Sequence, residues 1–466
     1  MTTWCAAWGP PLKRTTWVAL ALAATWNLEM AEKMGVISAY ETKAASIPWN
    51  FSPALDLGKN PVWPRLWENF GEDVHLCSEM GKAVVKGYQG NDIGHPEKVA
   101  ACLKHFTGYG MPITGKDRTP AWIPERYIQE YYIPAFAAAI DAGAKTIMIN
   151  SGEINGIPTH ADYHLLTEVL REQLGFKGVA VTDWEDIQFL HTRHRIAETH
   201  KEAVKLAIEA GIDMSMVPFE FSFADHLVEL VKEGTISEER LDLSVHRILT
   251  LKMELNLFEQ PYNDPKDYPD FASPAFQQIN LAAAEESIVL LKNKNSILPL
   301  PKTAKVLVTG PTAHSMQSLN GGWTYTWQGE KTNTIASNKK TILQAIQDKI
   351  EADKVTYIEG SSFNKTINIP KVIEAAETVD YILMCLGETS YTEFEGNIHD
   401  LNLEEAQLVL AQNLAEQTQK PIILILLEGR PRIIRTIEKM MNAVMVGFLP
   451  GNKGGEAISN ILFGDS

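Results

Sequence analysis

Residues 175–186 read Gly-Phe-Lys-Gly-Val-Ala-Val-Thr-Asp-Trp-Glu-Asp. The run Val179-Ala-Val-Thr182 is a short strand of β-formers that stops at a carboxylate, Asp183, with an aromatic, Trp184, beside it. Such a strand is typical of parallel sheets covered on both faces. A carboxylate at its C-terminal end stands at the mouth of a β/α barrel, where chemistry collects. The same residue can equally cap the helix that follows, and the spacing leaves both readings open. A second strand, Val99-Ala-Ala-Cys-Leu-Lys-His-Phe, ends in Lys104 and His105. Two later loops add aromatics and acids: Asn320–Gly329, with Trp323 and Trp327, and Gly387–Gly396, with Glu388, Glu393 and Glu395. Aromatics flanked by glycines suit the stacking of sugar faces, although two tryptophans can also simply plug a core. Taken alone, the three glutamates read as a solvated face. The 320–329 loop has no following Lys-Ser/Thr pair and is no phosphate cradle.

These residues need elements to hold them. The pattern predicts a strand over 17–25, a helix over 27–45, a short strand at 47–52 and a helix over 73–88. It continues with the Lys-His strand, helix 125–142, strand 146–151, helix 163–174, the Asp183 strand, helix 197–210, strand 212–217 and helices 222–233 and 237–256. This βα alternation, with polar residues (Asp56, Lys104, His105, Asn150, Asp183) at strand C-termini, predicts a TIM-type (β/α)₈ barrel. Only six strands can be counted, so the expectation is a barrel without its first strands over 1–256. Residues 257–275 are rich in Pro and Asp and read as a linker. From 276 to 466 a second βα series is expected, with a long helix over 276–292. Its strands start at Lys305, Asp380, Pro421 and Ala443, with helices 341–352, 403–418 and 430–440 between them. The series stops after a helix, where a further strand is expected.

Composition narrows the partners. The chain has 466 residues, 45% of them hydrophobic, and a net charge of −16 with no Lys/Arg run. That disfavours nucleic acid and anionic membranes and suits a neutral ligand. The four cysteines lie far apart, without metal-ligand spacing, and no apolar run reaches membrane-span length. Residues 13–24 mimic a short signal peptide, but they run without a break into a periodic helix and are read as a strand.

The ordered set of motifs resembles glycoside hydrolase family 3, the β-glucosidase and exo-β-glucanase family. The matching stretches are Lys104-His105-Phe with Gly108, Phe176–Trp184, Glu286-Ser-Ile-Val-Leu-Leu-Lys-Asn, Gly321–Gly329 and Gly387-Glu-Thr-Ser-Tyr-Thr-Glu393. The resemblance implies a (β/α)₈ barrel followed by an α/β sandwich. It implies a retaining exo-β-glucosidase acting on β-linked glucosides or oligosaccharides, without metal or other cofactor. Asp183 is then the nucleophile and Glu393 the acid/base, with Glu395 its rival. Retention needs the two carboxyls roughly 5–5.5 Å apart, so the two domains are expected to dock. Arg65, Lys104 and His105 match the sugar-hydroxyl binders, and Trp184 and Trp327 the aromatics that sandwich the sugar. Trp323 shares that loop, while Asp117 and Arg118 complete the pocket. Residues 107–120 contain no histidine, which sets the chain apart from the N-acetylglucosaminidase branch. The family's early sugar-binding Asp and the end of the sandwich have no counterpart, and Ser151 stands where a larger side chain is common. A β-xylosidase and a non-catalytic sugar-binding fragment are the alternatives. Family analogy favours a periplasmic or secreted protein; the resemblance leaves the oligomeric state open.

Overall fold

The computed structural model describes residues 18–219 and 221–466, which divide into two compact units. The first comprises residues 28–63 and 69–271; the second gathers 18–27, 64–68 and 272–466.

In the first unit, β1 (Trp49–Asn50), β2 (Ala100–Phe106) and β3 (Thr146–Ile149) precede a hairpin of β4 (Glu153–Ile154) and β5 (Ile157–Pro158), and β6 (Val179–Val181) follows. Strands β1, β2, β3 and β6 pair in that order, all parallel. The expected strand at 212–217 contributes one bridge, Met214 to Val181. One face of this arc buries Trp49, Cys102, Met148, Val179 and Val181 against Leu251 of helix Glu238–Glu254 and Leu255 just after it. The predicted helix 125–142 is interrupted before Pro134, whose ring nitrogen has no hydrogen to donate into the preceding turn. Helices Leu28–Ala44 and Val74–Gln89 approach closely through Gly35 and Gly87: a Cβ on Gly87 would lie 2.4 Å from the Glu32 carbonyl oxygen. Beneath β6, the buried Asp213 carboxylate takes Arg171 at 2.7 Å, Arg247 at 2.8 Å and the Ala180 N–H at 3.0 Å. With the Ser244 hydroxyl, which donates to Oδ1 at 2.7 Å, these partners fix the start of the strand that ends at Asp183.

The expected strand 17–25 is corrected: residues 19–24 form a helix, Ala19–Ala24, and Trp17 lies outside the described residues. Ala-Leu-Ala-Leu-Ala-Ala has strong helix propensity, and its apolar alternation is too short to choose between the two periods. This helix belongs to the second unit, where Val18 packs with Trp67, Tyr391 and Leu449.

The second unit holds β7 (Val289–Asn293), β8 (Val306–Thr309), β9 (Val355–Tyr357), β10 (Tyr381–Gly387), β11 (Ile422–Leu427) and β12 (Ala443–Val446). The order is β7-β12-β11-β10-β8-β9, parallel except for the antiparallel edge strand β7. One face buries Val306, Val308, Leu383, Ile423 and Ile425, and the other Leu307, Ile382, Met384, Leu424 and Leu426. The two faces alternate along each strand, as covering on both sides requires. The helix expected over 276–292 is corrected to Pro274–Ser287, because Val289–Asn293 pairs with β12. The helix expected over 430–440 is likewise replaced by extended chain, bridged at Ile433 to Asn402, and one tight turn at Glu438–Met440. Pro431 cannot donate a backbone hydrogen bond at the start of that segment. Cys77, Cys102 and Cys385 are buried and free, and burial raises each thiol, that of Cys102 to about 12.

Candidate active site

In the first unit the residues predicted from the ends of β2 and β6 come together. Asp183 is buried, and its Oδ1 accepts from the N–H of Trp184 at 2.6 Å. Helix Asp186–Thr192 has Glu185 as its N-cap, without a side-chain cap, so capping that helix is not what places Asp183. The Asp183 N–H points to Nε2 of His160, 3.4 Å away. His105 Nε2 stands 3.7 Å from Asp183 Oδ2, and the Arg118 guanidinium 3.6 Å from Oδ1. His105 Nδ1 lies 2.8 Å from Asp56 Oδ2. A carboxylate only accepts, so Nδ1 carries a proton and the ring is fixed. The Tyr109 hydroxyl donates to Asp117 Oδ1 at 2.6 Å, with Arg118 Nε 3.8 Å from Oδ2. Lys104 is half-buried, where the chain of β2 bridges to Ala54. Trp184 is half-exposed, its ring edge-on to Phe219 at 5.7 Å.

The second unit collects the others. Glu393 is buried with left-handed backbone (φ 51°) in the loop after β10. Its Oε2 accepts from Trp327 Nε1 at 3.0 Å and its Oε1 from Arg65 at 3.3 Å. Arg65 grips Glu68 with two hydrogen bonds, at 2.9 and 2.8 Å. Glu68 Oε1 also receives Trp323 Nε1 at 3.0 Å and the Thr392 hydroxyl at 2.8 Å. Gln328 pairs with the backbone of Thr392 through both ends of its amide. The two aromatic and acidic loops are thereby tied together, and both tryptophans donate to carboxylates rather than only filling space. Glu395 is exposed.

Several participants escape a reading of the sequence. Asp56 was visible only as a polar strand end, and Glu68 follows Arg65 by one helical turn, a spacing that signals an ion pair. His160 and Asp186 have weaker signals, although Asp183-Trp-Glu-Asp186 puts a second acid on the turn after the strand. Burial holds His160 down to about 3, so its ring is neutral. Burial also lifts Asp186 to about 7, with the Asp183 charge adding to the effect.

Chemically, the first unit offers a buried carboxylate held by a cation, an imidazole and backbone, suited to covalent attack. The second offers a carboxyl sharing donors in a water-poor loop, suited to proton transfer. Among the described residues no cluster of three or more His, Cys, Asp or Glu is arranged to hold a metal ion. No helix among them is long and apolar enough to cross a membrane.

Comparison with known proteins bears on these features. The chain is 45% identical over 462 residues to the lysosomal beta glucosidase of Dictyostelium discoideum, spanning 95% of this chain and 56% of that protein. It is 30% identical over 478 residues to the periplasmic beta-glucosidase of Salmonella typhimurium, spanning 96% and 61%. The crystal structure of beta-glucosidase from Listeria innocua superposes with a TM-score of 0.91 at 31% identity, over 98% of this chain and 63% of that one. That enzyme has also been solved in complex with glucose. The chain thus spans 56–63% of the length of these relatives. The architecture they share is a (β/α)₈-type domain followed by an α/β sandwich, which is the fold class of this chain. Residues 12–251 match the Glycosyl hydrolase family 3 N terminal domain and residues 288–466 the Glycosyl hydrolase family 3 C-terminal domain. With both halves matched in one order along one sequence, the chain belongs to glycosyl hydrolase family 3.

Proposed function

We propose that this protein is a retaining, exo-acting β-glucosidase that releases terminal β-D-glucosyl residues from β-glucans or oligosaccharides. The observation that carries the reading is the setting of Asp183: buried, at a strand end, 3.6 Å from a guanidinium and 3.7 Å from a fixed imidazole. In this reading the Asp183 carboxylate attacks the anomeric carbon while Glu393 gives its proton to the departing oxygen. Glu393 then takes a proton from water, whose oxygen displaces Asp183 from the glycosyl ester. Burial favours Glu393 over the exposed Glu395 for this work, and Trp327 and Arg65 fix where its carboxyl stands. Arg65, Lys104, His105, Asp117 and Arg118 bind or position the sugar hydroxyls. Trp184, Trp323 and Trp327 supply apolar ring faces. The relatives' names support glucose as the sugar and a lysosomal or periplasmic setting as the compartment. A β-xylosidase is the second reading, favoured by a relative of that name from Formosa agariphila at 33% identity.

The test is turnover of aryl β-glucoside and aryl β-xyloside. Asp183→Asn is expected to lower kcat on the glucoside by about a thousandfold or more. Near-wild-type turnover in that variant removes Asp183 from the mechanism, and faster turnover of the xyloside moves the substrate class. Added azide is expected to restore Glu393→Gly but not Glu395→Gly; the reverse exchanges their roles.

A further inference from the structure

Asp186 is a fully buried carboxyl that the mechanism above does not use. It opens helix Asp186–Thr192, on the turn after Asp183. Its Oδ1 accepts from the Ser151 hydroxyl at 2.8 Å and stands 3.6 Å from Arg118 Nη1. Among the described residues its buried Oδ2 has no hydrogen-bond partner, and Nδ1 of His160 is 3.7 Å away. Arg118 therefore lies between the two acids, with Nη2 toward Asp183 and Nη1 toward Asp186. Unpartnered oxygens on buried carboxyls are uncommon, because each forfeits the hydration it had in water.

We propose that Asp186 is a positioning residue that competes with Asp183 for Arg118, so that gain or loss of its proton sets how firmly the guanidinium grips the nucleophile. This rests on the reading of Asp183 as nucleophile. With Asp186 protonated, the Arg118 charge is left to Asp183 and damps its attack. With Asp186 ionised, Arg118 is shared. The added negative charge then favours the positive sugar ring of the transition state. The charged and titratable groups facing Asp186 are Arg118, Asp183 and Arg193, with His160 on the hairpin side. His160 is neutral, and guanidinium groups keep their charge over the working range, so the change in charge at this point falls to the Asp186 carboxyl; Asp117, 3.8 Å from Arg118 Nε, is held by the Tyr109 hydroxyl. Burial places the Asp186 proton near neutral pH, where it exchanges under assay conditions.

The experiment is the pH profile of kcat/KM for 2,4-dinitrophenyl β-glucoside in the purified protein. Its leaving group departs without a proton from the acid/base, which removes that ionisation from the profile. Wild type is expected to rise roughly fivefold through neutrality, a modest effect for one charge a few ångströms away. Asp186→Asn is expected to give a flat profile at the low plateau. Ser151→Ala, which removes the one hydroxyl donated to the ionised acid, is expected to move the midpoint to higher pH. An unchanged step in Asp186→Asn, or an unmoved midpoint in Ser151→Ala should the first variant not fold, overturns the proposal. A flat wild-type profile overturns it as well. Failure of the functional reading is a separate outcome: Asp183→Asn then keeps its turnover whatever Asp186 does.

Discussion

Glu428 shows how much one residue can be made to titrate by its surroundings. It sits at the end of β11; among the described residues its Oε1 receives the long Arg432 N–H contact of 3.4 Å and its buried Oε2 has no partner. Burial, with the nearby Glu388 charge, raises its carboxyl to about 8. The neighbouring Glu388 instead gathers the Tyr391 hydroxyl at 2.9 Å, the Gly429 N–H at 3.0 Å and Arg430 Nε at 3.1 Å. The folded chain therefore holds a proton on Glu428 that the unfolded chain gives up above pH 4.5. The stability tied to that proton is complete below the unfolded value and is lost as pH rises toward about 8. Glu428→Gln is expected to unfold at a higher temperature than wild type at pH 8 and at nearly the same temperature at pH 5. Thermal unfolding at the two pH values checks this.

At the scale of elements, the loops proposed to carry the chemistry are anchored where strands leave the sheet. Gly387 closes β10 with φ 144°, and a Cβ there would sit 1.9 Å from the Leu427 carbonyl oxygen on β11. That contact is backbone against backbone and cannot be relieved by a rotamer change. Gly387→Ala is expected to cost more than about 3 kcal/mol in denaturant unfolding, well above an ordinary surface substitution. It should lower the activity of whatever still folds, because Glu388 and Glu393 follow the same strand end. In the first unit the equivalent anchor is Asp213, which ties the start of β6 while Thr182 and Asp183 lie at its far end. The sequence shows β6 and β10 but not these anchors, since Arg171, Asp213 and Arg247 meet only through folding.

For the molecule as a whole, a charge of −16 is spread over two units without a basic run. The proposed substrate carries no charge, so the field of the protein neither gathers nor repels it. Raising NaCl from 50 to 500 mM is expected to change kcat/KM on an aryl glucoside by less than about twofold, because screening acts only between charges. A strong salt dependence, measured at constant pH, would point to a charged substrate instead.

The two βα series and most helices were legible, since burial on both faces of a parallel sheet demands long apolar runs that survive in a list of letters. The errors fell where a local pattern has two solutions. Ala19–Ala24 suits a helix as well as a strand, and Val289–Asn293 becomes a strand only because β12 offers it an edge. Of the candidate site, Asp183, Lys104 and His105 stood out as strand ends and Trp327 as a loop aromatic, whereas Glu393 was separated from its neighbouring glutamates only by the family resemblance. The pairings were not legible. That Asp56 locks His105, that Glu68 gathers Arg65, Trp323 and Thr392, and that Asp186 shares Arg118 with Asp183 are decided by the tertiary structure. Burial turns each of these chance spacings into a contact too costly to leave unpaired.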